Sequence, residues 1–164
     1  MLVNQVGLVI AFCFWIHRAS KNLDALSVTR RRYTPGWAVG WWFVPIMNLF
    51  RPYQVVGEIW KGSDPLLTDT GSSAWHDVPT SAIVKWWWGI CILFVVIENV
   101  IHPIWSLTDP TRDELIMGQY MGVTGEALSI VAIVLAFFMV RQITSNQNKK
   151  YRRLGSSTES FGGS

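Results

Sequence analysis

Charge is scarce in this sequence: 15% of its 164 residues are Asp, Glu, Lys or Arg, against about 25% in a typical soluble domain. So small a charged fraction argues against a soluble, solvated surface. Cysteine is scarce too, and Cys13 and Cys91 both fall inside apolar runs; a disulfide scaffold is excluded and two small buried thiols are expected. The short signatures of soluble enzymes are missing. There is no glycine-rich phosphate loop, no His-Glu-x-x-His, no Cys-x-x-Cys and no Gly-x-Ser-x-Gly, which removes phosphate-loop, zinc-protease, thioredoxin-like and serine-hydrolase chemistry. What is present is apolar: half of the residues are hydrophobic and ten are Trp, the profile of a membrane protein. The expected architecture is an all-α membrane protein: three transmembrane helices, one broken or re-entrant membrane helix, and an interfacial amphipathic helix.

The stretch 33–62, YTPGWAVGWWFVPIMNLFRPYQVVGEIWKG, organises the rest. Thr34 can cap a helix that begins at Pro35, where proline's missing N–H costs nothing. The apolar run 36–50 has 15 residues, about 22 Å of helix against a hydrocarbon core of about 30 Å. Pro45 deletes a helix hydrogen bond, and Asn48, Arg51 and Pro52 follow, so the backbone is expected to open at 44–48 and turn. Beyond Pro52, Val55, Val56, Ile59 and Trp60 recur at helical spacing opposite Gln54, Glu58 and Lys61, which suits a helix lying in the interface. The broken element therefore covers 35–61.

WIHRASKN at 15–22 followed by PGWAVGWWFVPIMNLFRPYQVVGEIW at 35–60 closely resembles a family of bacterial membrane proteins, domain of unknown function 4328. The motif residues here are Trp15, Arg18, Asn22, Trp41, Trp42, Pro45, Asn48, Arg51, Pro52, Gln54 and Glu58. The resemblance implies an integral protein of the bacterial plasma membrane and no established activity. It also implies a further hydrophobic segment ahead of the first one seen here.

The first apolar run, 2–17, has no basic residue before it and has Arg18 and Lys21 after it, so it reads as an uncleaved anchor with its N-terminus outside. Arg30, Arg31 and Arg32 form a basic cluster, read as an orientation signal in contact with anionic lipid headgroups. Residues 63–81 form a polar linker in which His76 and Asp77 are an exposed pair with no metal. The span 86–105 follows, with Lys85 and Trp86 to Trp88 anchoring one end and Trp105 the other; its interior carries Glu98, Asn99 and His102, and Pro103 bends it. Asp109 and the Thr111 to Glu114 box restart helix. The last span, 119–140, carries a stripe of small residues, Gly118, Gly122, Gly125, Ser129, Ala132 and Ala136, expected to pack against protein. Residues 144–164, with Lys149, Lys150, Arg152 and Arg153, are expected as a mobile basic cytoplasmic tail.

Charge decides the topology. If 36–50 returns to its own side, 13 of the 14 basic residues fall inside; if it crosses, 6 fall inside and 8 outside. The positive-inside bias selects the first arrangement, with the C-terminus cytoplasmic. Two polar constellations follow. On the cytoplasmic side Arg18, Asn22, Asn48, Arg51, Gln54 and Glu58 are expected to converge, the arginines and Asn48 satisfying opened backbone and pairing with Glu58, or else forming an anion or headgroup site. Toward the outside, Glu98 and Glu126 lie at similar depth, Glu98 shares a face with His102, and Ser129 neighbours Glu126. Those carboxylates suit ions or protons, or else a protonated Glu98 hydrogen-bonded to Asn99, Ser129 or Asn4 and serving only as helix glue.

Three function classes compete. First is a non-enzymatic protein binding lipid or a membrane partner, in envelope assembly or as a homo-oligomer. Second is a transporter or channel subunit for a small solute, proton or ion. Last is an intramembrane enzyme, for which the catalytic set is lacking. No cofactor and no nucleic acid is implied.

Overall fold

In the computed structural model, residues 2–67, 73–101, 103–104 and 112–161 are described. Among them every regular element is helical. The α-helices are α1 (Leu2–Ala25), α2 (Pro35–Gly40), α3 (Arg51–Gly62), α4 (Ala82–Val96) and α5 (Arg112–Phe161). The chain divides into two compact units, Met1–Ser81 with Arg141–Ser164, and Ala82–Val140.

In the first unit α1 buries Ile16, Ala19, Ser20 and Leu23, the i, i+3, i+4, i+7 pattern of one helix face, and packs on α2 and α3. Leu26, Val28 and Tyr33 of the following loop are buried as well. Thr34 caps α2 by accepting from Trp37 N at 3.4 Å, with Pro35 in the first turn. After Gly40 the chain tightens into a 3-10 turn at Trp41–Phe43, opens at Val44 (φ −94°, ψ 109°) and makes a second 3-10 turn at Met47–Leu49. The opening falls where proline chemistry places it. Pro45 forces its predecessor out of the α region and has no N–H to give the Trp41 carbonyl. Regular α-helix stops earlier than expected, at Gly40, because that missing bond loosens the whole preceding turn.

α3 buries Val55, Val56 and Ile59 as its apolar stripe requires, but Glu58, expected on the wet face, is also buried. The linker 63–81 is likewise more than a polar connection. Ser73–Asp77 is a 3-10 turn, and Trp75 is 1% exposed, its Nε1 donating to Thr29 O at 3.2 Å. His76 and Asp77 are exposed.

The expectation of a mobile tail from 144 is corrected. α5 continues to Phe161, and Met139, Ile143, Gln147 and Lys150 are buried along one face. Their spacing keeps a single helical stripe running past the apolar segment, so packing rather than composition decides the state of this region.

In the second unit α4 passes into a π-helical turn at Ile97–Ile101. Among the described residues two helical segments are long and apolar enough to cross a membrane, the 20 residues Ala82–Ile101 and the 39 residues Gly118–Ser156. The latter is about 58 Å long by helical rise, nearly twice a hydrocarbon core.

Candidate functional site

The cytoplasmic constellation expected from the sequence is divided by the fold into three groups. The first centres on Glu58. Its Oε2 accepts from Arg32 N at 2.9 Å and its Oε1 from Tyr33 N at 3.2 Å, so α3 holds the end of the 26–34 loop by two main-chain bonds. Burial raises the Glu58 pKa above the ordinary carboxylate range, and those two bonds and the charges of Arg31 and His76 oppose the shift. The expected pairing of Glu58 with Arg18 or Arg51 is absent among the described residues, where the ion pair is Arg31 with Asp24.

The second group is built on Arg51. Its Nη1 donates to Tyr33 Oη at 2.9 Å and to Gln54 Oε1 at 3.2 Å, while Tyr33 Oη itself donates to Gln54 Oε1. The guanidinium lies 5.2 Å from the Trp41 ring centroid and 5.8 Å from that of Tyr33, within reach for cation–π attraction. Trp42 packs edge-on against Phe12 of α1, and Phe12 stacks on Trp15. The aromatic motif residues thus fasten the broken segment to α1 and to the start of α3. Pro52 is buried in the first turn of α3.

The third group lies where α1, α3 and α5 meet. Asn22 Nδ2 donates to Gln147 Oε1 at 3.1 Å, and Gln147 Nε2 donates to Ala19 O at 3.0 Å and to Ser63 Oγ at 3.1 Å. Ser63 Oγ donates to Ile59 O at 2.6 Å, and Lys150 Nζ to Gly62 O at 2.9 Å. A lysine at the last carbonyls of α3 satisfies an orphan acceptor and meets the negative end of the helix dipole. Trp15 Nε1 donates to Thr144 Oγ1 at 3.3 Å. Of the remaining expected members, Arg18 is exposed and Asn48 is half-buried, and neither side chain hydrogen-bonds to the described residues; the backbone N–H of Asn48 donates to Val44 O at 2.7 Å.

Two cavities of this unit follow from these contacts. A polar cleft of 330 Å³ has Glu58, Trp75 and Thr80 in its walls and Arg32, Lys61 and His76 among its lining residues. Lys61 Nζ donates to His76 O at 2.7 Å, and the His76 ring stacks on Trp75 at 3.7 Å between centroids. An apolar groove of 660 Å³ is lined by Ile10, Phe14 and His17 of α1 with Val39 and Phe43.

In the second unit the outer constellation is only partly assembled. The Glu98 carboxyl group lies over Gly125, so close that a Cβ there would stand 3.0 Å from Glu98 Cδ. Gly125 is buried and Glu126 is exposed. The hydrogen bonds expected from Asn99 and Ser129 to Glu98 are not made. Asn99 Nδ2 donates to Val95 O at 3.0 Å and Ser129 Oγ to Glu126 O at 2.8 Å, each back to its own helix. His102 lies outside the described residues.

Sequence reasoning missed Tyr33, Trp75, Gln147 and Lys150. For the last two a signal existed, the continuation of the Met139, Ile143 spacing by four and then three residues; for Trp75 it was a lone Trp among turn formers. Comparison with curated proteins and with solved structures gives no match. The family model for a domain of unknown function, domain 4328, matches residues 2–145. That match takes in all of the motif residues and the whole of the unit Ala82–Val140, and stops at residue 145 within the last stretch of the other unit; the chain belongs to this family.

Proposed function

We propose that this chain is a non-enzymatic integral protein of the bacterial plasma membrane whose cytoplasmic face binds anionic lipid headgroups. In this reading α1, α4 and α5 cross, the N-terminus is outside, and the broken segment 35–50 enters and leaves on the cytoplasmic side. One observation carries it. Twelve of the 14 basic residues belong to the unit Met1–Ser81 with Arg141–Ser164, and the other two are Lys85 and Arg112. The same unit leaves Trp37, Phe43, Ile46 and Phe50 of the broken segment more than half exposed. Apolar side chains bracketed by the Arg30 to Arg32 cluster and Arg51 suit a segment sunk in one leaflet beneath a basic surface. Two aqueous faces would leave those side chains unexplained.

The protein in nanodiscs of phosphatidylcholine doped with phosphatidylglycerol should retain the anionic lipid preferentially, and retention should fall as salt screens the surface charges. Replacing the exposed Arg18, Lys21 and Arg30 together by Gln should weaken it by about two orders of magnitude, at about 1 kcal/mol per basic residue near the surface. Equal retention of both lipids by the wild-type protein contradicts the reading.

A second reading, passage of protons or small cations, is supported by Glu98. It sits in a π-helical turn of an apolar helix, over a glycine, and such turns recur at functional sites. Under that reading Glu98→Gln abolishes cation- or pH-dependent flux in proteoliposomes.

A further inference from the structure

We infer that the 330 Å³ cleft beside α3 binds the phosphoethanolamine group, the zwitterionic headgroup chemistry of an aminophospholipid. The inference rests on the membrane reading above for where the cleft lies, and on the cleft alone for what it takes. Its volume is at the low end for small-molecule sites; it suits a headgroup and leaves no room for acyl chains.

The lining carries both signs of charge, and the two signs are held differently. Glu58 is fixed in the wall by Arg32 N and Tyr33 N. An ionised carboxylate offers about four acceptor positions, so about two remain for a ligand. A primary ammonium has three N–H donors to place there, and a trimethylated one has none. Burial makes the ionised form of Glu58 costly, and an incoming ammonium offsets that cost directly.

Lys61 and Arg32 supply the opposite sign, and the His76 ring lines the same wall. Lys61 Nζ spends one N–H on His76 O and hydrogen-bonds to no other described residue, which leaves two N–H groups to meet a phosphate. The bond to His76 also holds the 3-10 turn Ser73–Asp77 against α3, so Trp75 and His76 close one side of the cleft. Thr80 adds a hydroxyl in the same lining. A bare phosphate leaves the carboxylate unmatched and repelled. A bare amine leaves the basic residues unmatched. A divalent cation fits poorly, since among the described residues no three His, Cys, Asp or Glu side chains gather to hold one. A ligand with phosphate and primary ammonium a few bonds apart satisfies both sides at once.

The test uses the full chain in nanodiscs holding equal phosphatidylcholine, phosphatidylglycerol and phosphatidylethanolamine, with retained lipid counted by native mass spectrometry. One phosphatidylethanolamine per chain should be retained in a salt-resistant manner. Glu58→Gln should lower its retention about tenfold, the usual effect of losing a charge-assisted hydrogen bond, while phosphatidylglycerol retention stays. Because Glu58 also braces the loop, Arg32→Gln is the second variant; its side chain is exposed and Glu58 uses only its main-chain N–H, so the change should lower phosphatidylethanolamine retention with an unchanged melting temperature. Soluble glycerophosphoethanolamine distinguishes the source: stabilisation of lipid-free protein in detergent assigns the group to a water-soluble ester, and retention without that response assigns it to the leaflet. Salt-sensitive phosphatidylglycerol retention without phosphatidylethanolamine preference overturns this inference and leaves the membrane reading standing. Indifference to all three lipids overturns both.

Discussion

Gln147 reaches from α5 to the carbonyl of Ala19 in α1 and to Ser63 beyond α3, and Lys150 reaches Gly62, all within the unit Met1–Ser81 with Arg141–Ser164. In the unit Ala82–Val140, by contrast, Asn99, Thr124 and Ser129 each bond a carbonyl of their own helix three or four residues back. The buried side chains divide the same way: Ile16, Leu23, Val55, Ile59 and Trp75 form a core in the first unit, whereas α4 buries Val84 and Trp87 and leaves Trp86 70% exposed. The first unit has an apolar core and cross-linking polar groups, although it too leaves Phe14, Phe43 and Ile46 outward. The second leaves its apolar side chains outward and satisfies its polar ones locally, which is what hydrocarbon demands of a helix. One chain thus carries two solutions to the same accounting of polar groups, and the long α5 takes part in both.

The largest test of that contrast is Trp75→Ala, which empties the first unit's core and should cost about 3 to 5 kcal/mol by thermal or denaturant unfolding in detergent. Phe138→Ala, on an exposed face of α5, should cost well under about 1 kcal/mol in the same assay. Next, Gln147→Leu should cost about 1 to 3 kcal/mol, because it deletes the hydrogen bonds that tie α5 to α1 and takes the donor away from the fully buried Ser63 Oγ. Its counterpart in the second unit, Thr124→Val, removes one hydroxyl that only doubles up on a helix carbonyl and should stay within about 0.5 kcal/mol. Equal costs for Gln147→Leu and Thr124→Val would erase the distinction. Smallest of all is Asn48→Leu. The sequence marks Asn48 as a support for opened backbone, but its side chain makes no hydrogen bond with the described residues, so the change should stay within about 0.5 kcal/mol.

These positions also show what was legible beforehand. Thr34 and Pro35 announce a helix start, and Pro45 announces the break, because capping and proline sterics act within a few residues. The interior of the span at α4 and the buried Gly125 in the small-residue stripe are legible for a similar reason, since periodicity along one helix needs no knowledge of the rest. The partners of Glu58 were not. A carboxylate at i+4 from Gln54 looks solvent-facing until the 26–34 loop folds its N–H groups over it, and loop paths are not written in spacing. Gln147 and Lys150 were hidden by composition, their polar surroundings masking a buried stripe. The convergence expected of Arg18, Asn22, Asn48, Arg51, Gln54 and Glu58 was a motif read as a site; the fold uses Asn22, Arg51, Gln54 and Glu58 at three different joints, while the side chains of Arg18 and Asn48 hydrogen-bond to none of the described residues.

In the topology proposed above, the Arg30 to Arg32 cluster and the basic residues after Val140 belong to the cytoplasmic side and Thr111 to the outer side. Single cysteines at His76, Lys149 and Thr111, placed in a chain with Cys13 and Cys91 changed to Ser, can be challenged in intact cells with a membrane-impermeant thiol reagent. The account expects label at position 111 and protection at 76 and 149 until the membrane is permeabilised. Label at 76 with protection at 111 would contradict it.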